Sequence, residues 1–286
     1  MKKNFLIRSL YKFYIETKLF LLKKNIYFLN YLFFNFSEIL IKLLSRKRKN
    51  IQIKLEPIQD LQFTIQPNKE TINTENPEFL NPRGSRYDGI SIDPKSFINK
   101  SKKFFEKNYS HLDLGCGSGS LTYYSREENI DSVGVDNILD QKNKNVFWLS
   151  KYKNAYFNAD ITKDFQIYSR GENAKFDLIT LWEVFEHIEK KDLSILIQNI
   201  AKHMNKDSLL IGSVCTIRDE NPLKKSVYHK TVENKDWWIS KFKENGICEF
   251  KDHDYNTDDM IRGNGIGYFD WDPKDDYGFH IIGKLC

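Results

Sequence analysis

A five-residue run, Ser110-His-Leu-Asp-Leu114, passes directly into Gly115-Cys116-Gly117-Ser118-Gly119, and Leu121 to Glu128 then reads as a helix. Strand, glycine turn and helix in that order form a unit that brings backbone N–H groups and a helix N-terminus up to a ligand. A second strand, Ser132 to Asp136, ends in an acid seventeen residues after Gly119, where a carboxylate can accept from ribose hydroxyls. Further strands are predicted at Ala155 to Asn158, Phe176 to Leu181 and Ser208 to Val214, with a helix-length segment from Lys191 to Met204. Such alternation predicts an α/β fold, a mostly parallel sheet with helices on both faces. The ligand crevice then lies at the carboxyl ends of the strands, where Gly115, Asp136, Asp160 and Trp182 fall.

Charge divides the chain. Twelve of the 44 basic residues but two of the 39 acids lie in the first fifty positions, which leaves the remainder at a net −5. A nucleic-acid enzyme usually carries its basic stripe on the catalytic body, so this distribution argues against nucleic acid as the partner. The basic segment is also no secretory signal, because Arg8, Lys12, Glu16 and Lys18 interrupt its first apolar stretch. From Ile26 to Leu44 the pattern predicts an imperfect amphipathic helix, its polar residues from Asn30 to Ser45 within an arc of about 160°. Flanked by Lys23, Lys24 and Arg46 to Lys49, that helix suits an anionic membrane surface; the alternatives are that its apolar face packs on the protein body or on a second subunit, or that the run spans a bilayer. Residues 1–50 are therefore an extension, 51–99 a linker and active-site cap, and 100–286 the catalytic domain. Cys116, Cys215, Cys248 and Cys286 show no zinc spacing, and a reducing, cytoplasmic setting is the default.

The glycine loop carries an acid, Asp113, two residues before its first glycine, which suits a cationic ligand better than a pyrophosphate. With these motifs in order, residues 100–286 resemble the class I S-adenosylmethionine-dependent methyltransferases. The resemblance implies a Rossmann-like seven-stranded sheet whose last strand, Phe279 to Leu285, is antiparallel. It implies that Asp113, Gly115, Cys116, Gly117 and Gly119 hold the methionine part of S-adenosylmethionine. Asp136 would take the ribose hydroxyls, Asn137 would lie beside the adenine, and Asp160 and Ile161 would bound it. Trp182 would line the same crevice, and Arg86 would pair with the cofactor carboxylate.

Chemistry is expected after the fourth strand, in Leu181-Trp-Glu-Val-Phe-Glu-His-Ile188. If this segment is helical, Glu183, Glu186 and His187 share one face, and His187, which titrates near neutral pH, is the first candidate for a general base. The bland alternative is that Glu186 and His187 only orient the crevice. The run resembles the Glu-X-X-Glu-His segment of quinone-head-group O-methyltransferases, where a divalent metal is an option; no metal is assigned from sequence. His229 is the second candidate base. Methyltransferases of exocyclic base amines resemble one another in an Asn/Asp-Pro-Pro-aromatic run that Leu181-Trp182-Glu183-Val184 replaces here. The expected activity is O-methylation of a small-molecule, lipid-linked or saccharide hydroxyl. The alternatives are a non-catalytic cofactor-binding sensor or assembly subunit, or a protein or RNA methyltransferase. Gly263, Gly265 and Gly267 read as a loop at the acceptor mouth.

Overall fold

The computed structural model describes residues 63–66, 94–106, 109–117, 119–136, 151–216, 218, 220–221, 226–227, 229–256, 259–260 and 278–286. The amphipathic extension, most of the linker, Arg86, Asn137 and the loop around Gly265 lie outside them. In chain order the elements are β1 (Phe63–Gln66), α1 (Lys95–Phe105), β2 (Ser110–Leu114), α2 (Ser120–Glu127), β3 (Asp131–Asp136), β4 (Tyr156–Asn158), β5 (Gln166–Ser169), β6 (Glu172–Asn173) and β7 (Phe176–Trp182). A 3-10 turn at Lys153–Ala155 precedes β4, and after another at Phe185–His187 come α3 (Leu193–Lys202), β8 (Met204–Cys215), the short pair β9 (Glu220–Asn221) and β10 (Ser226–Val227), α4 (Lys235–Glu244), β11 (Ile247–Glu249) and β12 (Gly278–Leu285).

Seven strands form the main sheet in the order β11-β12-β8-β7-β2-β3-β4. The pairs β2–β3, β2–β7, β3–β4 and β7–β8 are parallel, while β12 runs antiparallel to both β8 and β11. The expected Rossmann-like sheet with an antiparallel last strand is what the chain forms. Its central strands are buried on both faces, which explains why β7 and the second half of β8 are mostly apolar, with Thr180 and Ser213 as buried polar exceptions.

Side chains alternate between two packed layers. Leu112, Leu114, Val133, Val135, Ile179, Leu181, Leu210 and Val214 meet α3 and α4 on one face. In α3, Leu193, Leu196, Ile197 and Ile200 stand at helical spacing and are all buried. Helix α4 starts where the Asn234 side chain accepts a 2.9 Å hydrogen bond from the Trp237 N–H, and it buries Trp238 and Phe242. Leu178, Trp182, Leu209 and Ile211 point to the other face, onto Phe97 and Ile98 of α1 and Leu121 of α2.

A second sheet, β1-β5-β6, is antiparallel, and Phe63 of β1 stacks on Phe176 at the start of β7, with centroids 5.8 Å apart. The segment read as linker and cap thus contributes β1 and the first turn of α1 to the packed body. At the edge of the main sheet, Cys248 faces Lys284 across β11 and β12, and Cys248 is disulfide-bonded to Cys286. Sequence spacing hides that pairing, which the strand register creates, and it departs from the reducing setting expected for the four cysteines; Cys116 and Cys215 are free. Among the described residues, no helix is long and apolar enough to cross a membrane.

Candidate functional site

Strand direction gathers the chain's polar motifs on one edge. Leaving β2, Gly115 adopts φ 69°, Gly117 φ 56° and Gly119 φ 77°, a left-handed series that only glycine follows without strain. The turn is pinned on several sides. Gly115 and Cys116 donate to the Val135 carbonyl on β3 at 2.8 and 3.2 Å. A Cβ on Gly115 would come within 2.5 Å of Val184 Cγ2, so the loops after β2 and β7 touch there. A Cβ on Gly119 would come within 2.3 Å of the Tyr156 ring, whose hydroxyl donates to the Gly119 carbonyl at 3.0 Å. Opposite, Gly134 leaves room for Cys116 and Thr122, since its Cβ would lie under 3 Å from Cys116 Sγ and Thr122 Oγ1.

Asp136 ends β3, and its Oδ2 accepts the Gly117 N–H at 2.8 Å, which ties the carboxylate to the glycine loop. The Ala159 N–H donates to the Asp136 carbonyl at 3.2 Å, fixing the next loop against it. There Asp160 Oδ1 accepts from the Thr162 N–H at 2.9 Å and from the Thr162 hydroxyl at 2.6 Å, while Ile161 is buried beside it. Asp113 is buried on β2, and its Oδ1 accepts from the Thr180 hydroxyl of β7 at 2.7 Å. Trp182 closes β7, packed edge-on against Phe97 of α1 with centroids 5.2 Å apart.

Beyond Trp182 the backbone does not continue as the helix that would stack Glu183, Glu186 and His187 on one face. Glu183 takes φ 57°, its N–H donates to Ser213 Oγ at 3.1 Å, and its carboxylate accepts from the same hydroxyl at 2.7 Å. Glu183 is therefore anchored to β8, and a 3-10 turn follows, closed by the His187 N–H on the Val184 carbonyl at 3.0 Å. Phe185 fixes the turn by packing edge-on against Phe242, 5.0 Å away, and against Trp238.

The turn still concentrates chemistry. Glu186 is fully buried, and burial first, then the neighbouring Glu183 carboxylate, raises its pKa to about 8, with His187 and the backbone N–H groups of Glu186 and Cys215 pulling the other way. The Lys230 and Thr231 N–H groups donate to the Glu186 carbonyl at 2.7 and 3.0 Å. That clasp brings His229 over His187, the rings edge-to-face with centroids 4.8 Å apart. Glu186, His187 and His229 each place a ligand atom within 4.8 Å of the others, as do Glu183, Glu186 and Cys215, so either set can approach one cation. Both candidate bases thus stand together, whereas sequence spacing had offered them as separate alternatives. The partners that hold the site, Thr180, Ser213 and Tyr156, went unmarked in the sequence because their roles depend on strand register.

The donor chemistry fits S-adenosylmethionine. The side chains at or just beyond the ends of β2, β3 and β4 are the carboxylates of Asp113, Asp136 and Asp160, suited to an ammonium, a ribose diol and an adenine amine. Residues 67–260, more than half of the chain, match a family described as a methyltransferase domain. The chain belongs to that family. It is an S-adenosylmethionine-dependent methyltransferase of class I. The fold of this methyltransferase is also that of the PH0226 protein from Pyrococcus horikoshii OT3, with a TM-score of 0.50 at 13% identity over 73% of this chain and 99% of that one. A similar structure at TM-score 0.48 is an S-adenosylmethionine-dependent methyltransferase from Clostridium acetobutylicum ATCC 824, 14% identical over 71% of this chain and 96% of that chain. Among curated proteins, (S)-coclaurine N-methyltransferase of Thalictrum flavum subsp. glaucum is 28% identical over 137 residues, 47% of this chain. The methyltransferase spans only 35% of that relative's length in the match.

Proposed function

We propose that the enzyme methylates a hydroxyl of a small-molecule, lipid-linked or saccharide acceptor, with His187 as general base and His229 as its neighbour or substitute. The observation that carries this reading is the meeting of His187, His229 and the buried Glu186 just beyond β7, at the same sheet edge as the glycine loop. When bound, S-adenosylmethionine supplies a methyl group on a sulfonium, a leaving group that needs no further activation. Asp113 and the Gly115–Gly119 loop hold its amino-acid part, Asp136 the ribose, Asp160 and Ile161 the adenine side, and Trp182 lines the crevice. Arg86 and Asn137, outside the described residues, are assigned to the cofactor carboxylate and adenine on the same reading.

The chain's own work is alignment and proton removal. A hydroxyl is a poor nucleophile until its proton leaves, and an imidazole is a side chain suited to take it. His187 accepts that proton on a ring nitrogen. Glu186, uncharged near neutral pH, supports the turn without pairing as an anion with the imidazolium, and Glu183 is committed to Ser213. The basic extension, residues 1–50, holds the enzyme at an anionic membrane surface on the cytoplasmic side, close to a lipid-linked acceptor.

A second reading has one supporting observation, the (S)-coclaurine N-methyltransferase relative: the acceptor is an amine and the same imidazole removes its proton. The test for both is transfer of labelled methyl from S-adenosylmethionine to a membrane-extract acceptor pool, with the product's methyl linkage identified. An O-methyl product, lost in His187→Ala while S-adenosylhomocysteine binding persists, is the expected result. An N-methyl product would select the amine reading, and full turnover by His187→Ala would refute the assigned base.

A further inference from the structure

Between β3, β2 and β7 a file of polar side chains runs through an otherwise apolar sheet face. His111 Nδ1 lies 2.7 Å from Ser132 Oγ, His111 Nε2 lies 2.8 Å from Thr180 Oγ1, and Thr180 Oγ1 donates to Asp113 Oδ1 at 2.7 Å. The register explains the file: His111 faces Ser132 across β2 and β3, and Asp113 faces Thr180 across β2 and β7. Ser132 and Thr180 are fully buried, His111 is 1% exposed and Asp113 4%, so bulk water has little access to these contacts. A buried polar file of this kind costs desolvation, and its members must satisfy one another.

From these contacts we infer that His111 and Thr180 are positioning residues for the cofactor, holding the Asp113 carboxylate toward the ammonium of its amino-acid part. This rests on the reading of Asp113 as a cofactor residue.

Donor bookkeeping fixes the direction of the file. A carboxylate only accepts, so the Thr180 hydroxyl proton points to Asp113. The Thr180 oxygen then accepts from His111, which places the imidazole proton on Nε2. Nδ1 is bare and accepts from the Ser132 hydroxyl. Burial holds His111 neutral by lowering its pKa to about 3, so the imidazole keeps one proton across the physiological range. Three strands thereby set one rotamer of Asp113, immediately before the glycine loop, and the cofactor meets a carboxylate already in place.

The test compares two ligands by calorimetric titration into the full chain. S-adenosylhomocysteine carries the ammonium, and 5′-methylthioadenosine lacks the amino-acid part altogether. Thr180→Val, folded by circular dichroism, is expected to weaken S-adenosylhomocysteine roughly tenfold, the size of one charge-assisted hydrogen bond. Methylthioadenosine affinity stays within about twofold, and Thr180→Ser restores the wild-type value for both. Equal weakening of both ligands, or none, would overturn the positioning role. If Asp113→Asn binds S-adenosylhomocysteine as the wild type does, the underlying assignment of Asp113 fails; if it loses that ligand while Thr180→Val does not, only the relay fails. Should Thr180→Val not fold, Ser132→Ala is expected to show the same split at about threefold, and no split there refutes the relay. Histidine 15N spectra of the wild type offer an independent readout: His111 as the Nε2–H tautomer, unchanged from about pH 5 to 8, is expected, and the Nδ1–H tautomer would contradict the file.

Discussion

Glu186 shows how much a single side chain's behaviour depends on what lies far from it in sequence. Read along the chain it is one acid among several; in the fold it is enclosed by Cys215, Glu183 and the 229–231 loop, and its pKa rises from 4.5 to about 8. A folded-state pKa above the unfolded one means that the native protein holds a proton the unfolded chain releases between those two values. The contribution to stability is complete below about pH 4.5 and is lost as pH rises through 8. Glu186→Gln, which cannot ionise, is expected to melt with the wild type near pH 5 and above it near pH 9; a variant less stable at both would contradict a buried, protonated carboxyl. Asp136 and Asp160 were legible because acids follow predicted strands, a local signal. The pairing of His187 with His229, and of Asp113 with Thr180, was not, because each joins residues more than forty positions apart.

At the scale of elements, strands were the easiest to read and turns the hardest. Strands β2, β3, β7, β8 and β12 each carry a core of Leu, Ile, Val or Phe that marks them in the sequence, although polar residues such as His111, Asp113, Ser132 and Thr180 interrupt it. Strands β1, β5 and β11 are short and half polar, and their pairing decides them more than their own residues do. The segment after β7 has a helix-like spacing of Glu183, Glu186 and His187, yet the left-handed Glu183 and the burial of Phe185 turn it into a 3-10 corner. The glycine loop makes a sharper case. Gly119→Ala must carry a Cβ at φ 77° and displace the Tyr156 ring, whereas Gly171→Ala at φ 85° meets nothing within 4 Å. Gly171→Ala is expected to cost about 1 kcal/mol from backbone conformation alone and Gly119→Ala about 2 to 3 kcal/mol, read from urea denaturation. Equal costs would mean that Tyr156 does not brace the loop. Gly119→Ala is also expected to weaken cofactor binding, while Gly171→Ala leaves it unchanged.

For the molecule as a whole, the charge division read from sequence organises the proposal. A body of net −5 and a leader of net +10 have opposite preferences for an acidic surface. Flotation with anionic liposomes is expected to carry the full chain upward and to leave a chain without residues 1–50 in the soluble fraction, with added salt releasing the full chain. If both chains stay soluble, the leader packs on protein instead. Catalysis depends on the edge formed by the ends of β2, β3 and β4 holding the cofactor, and calorimetric titration of S-adenosylhomocysteine into the wild type and Asp136→Ala tests this without any acceptor. Saturable one-to-one binding, weakened at least about tenfold by Asp136→Ala, is the predicted result, whereas no binding by the wild type, or equal binding by both, would contradict it.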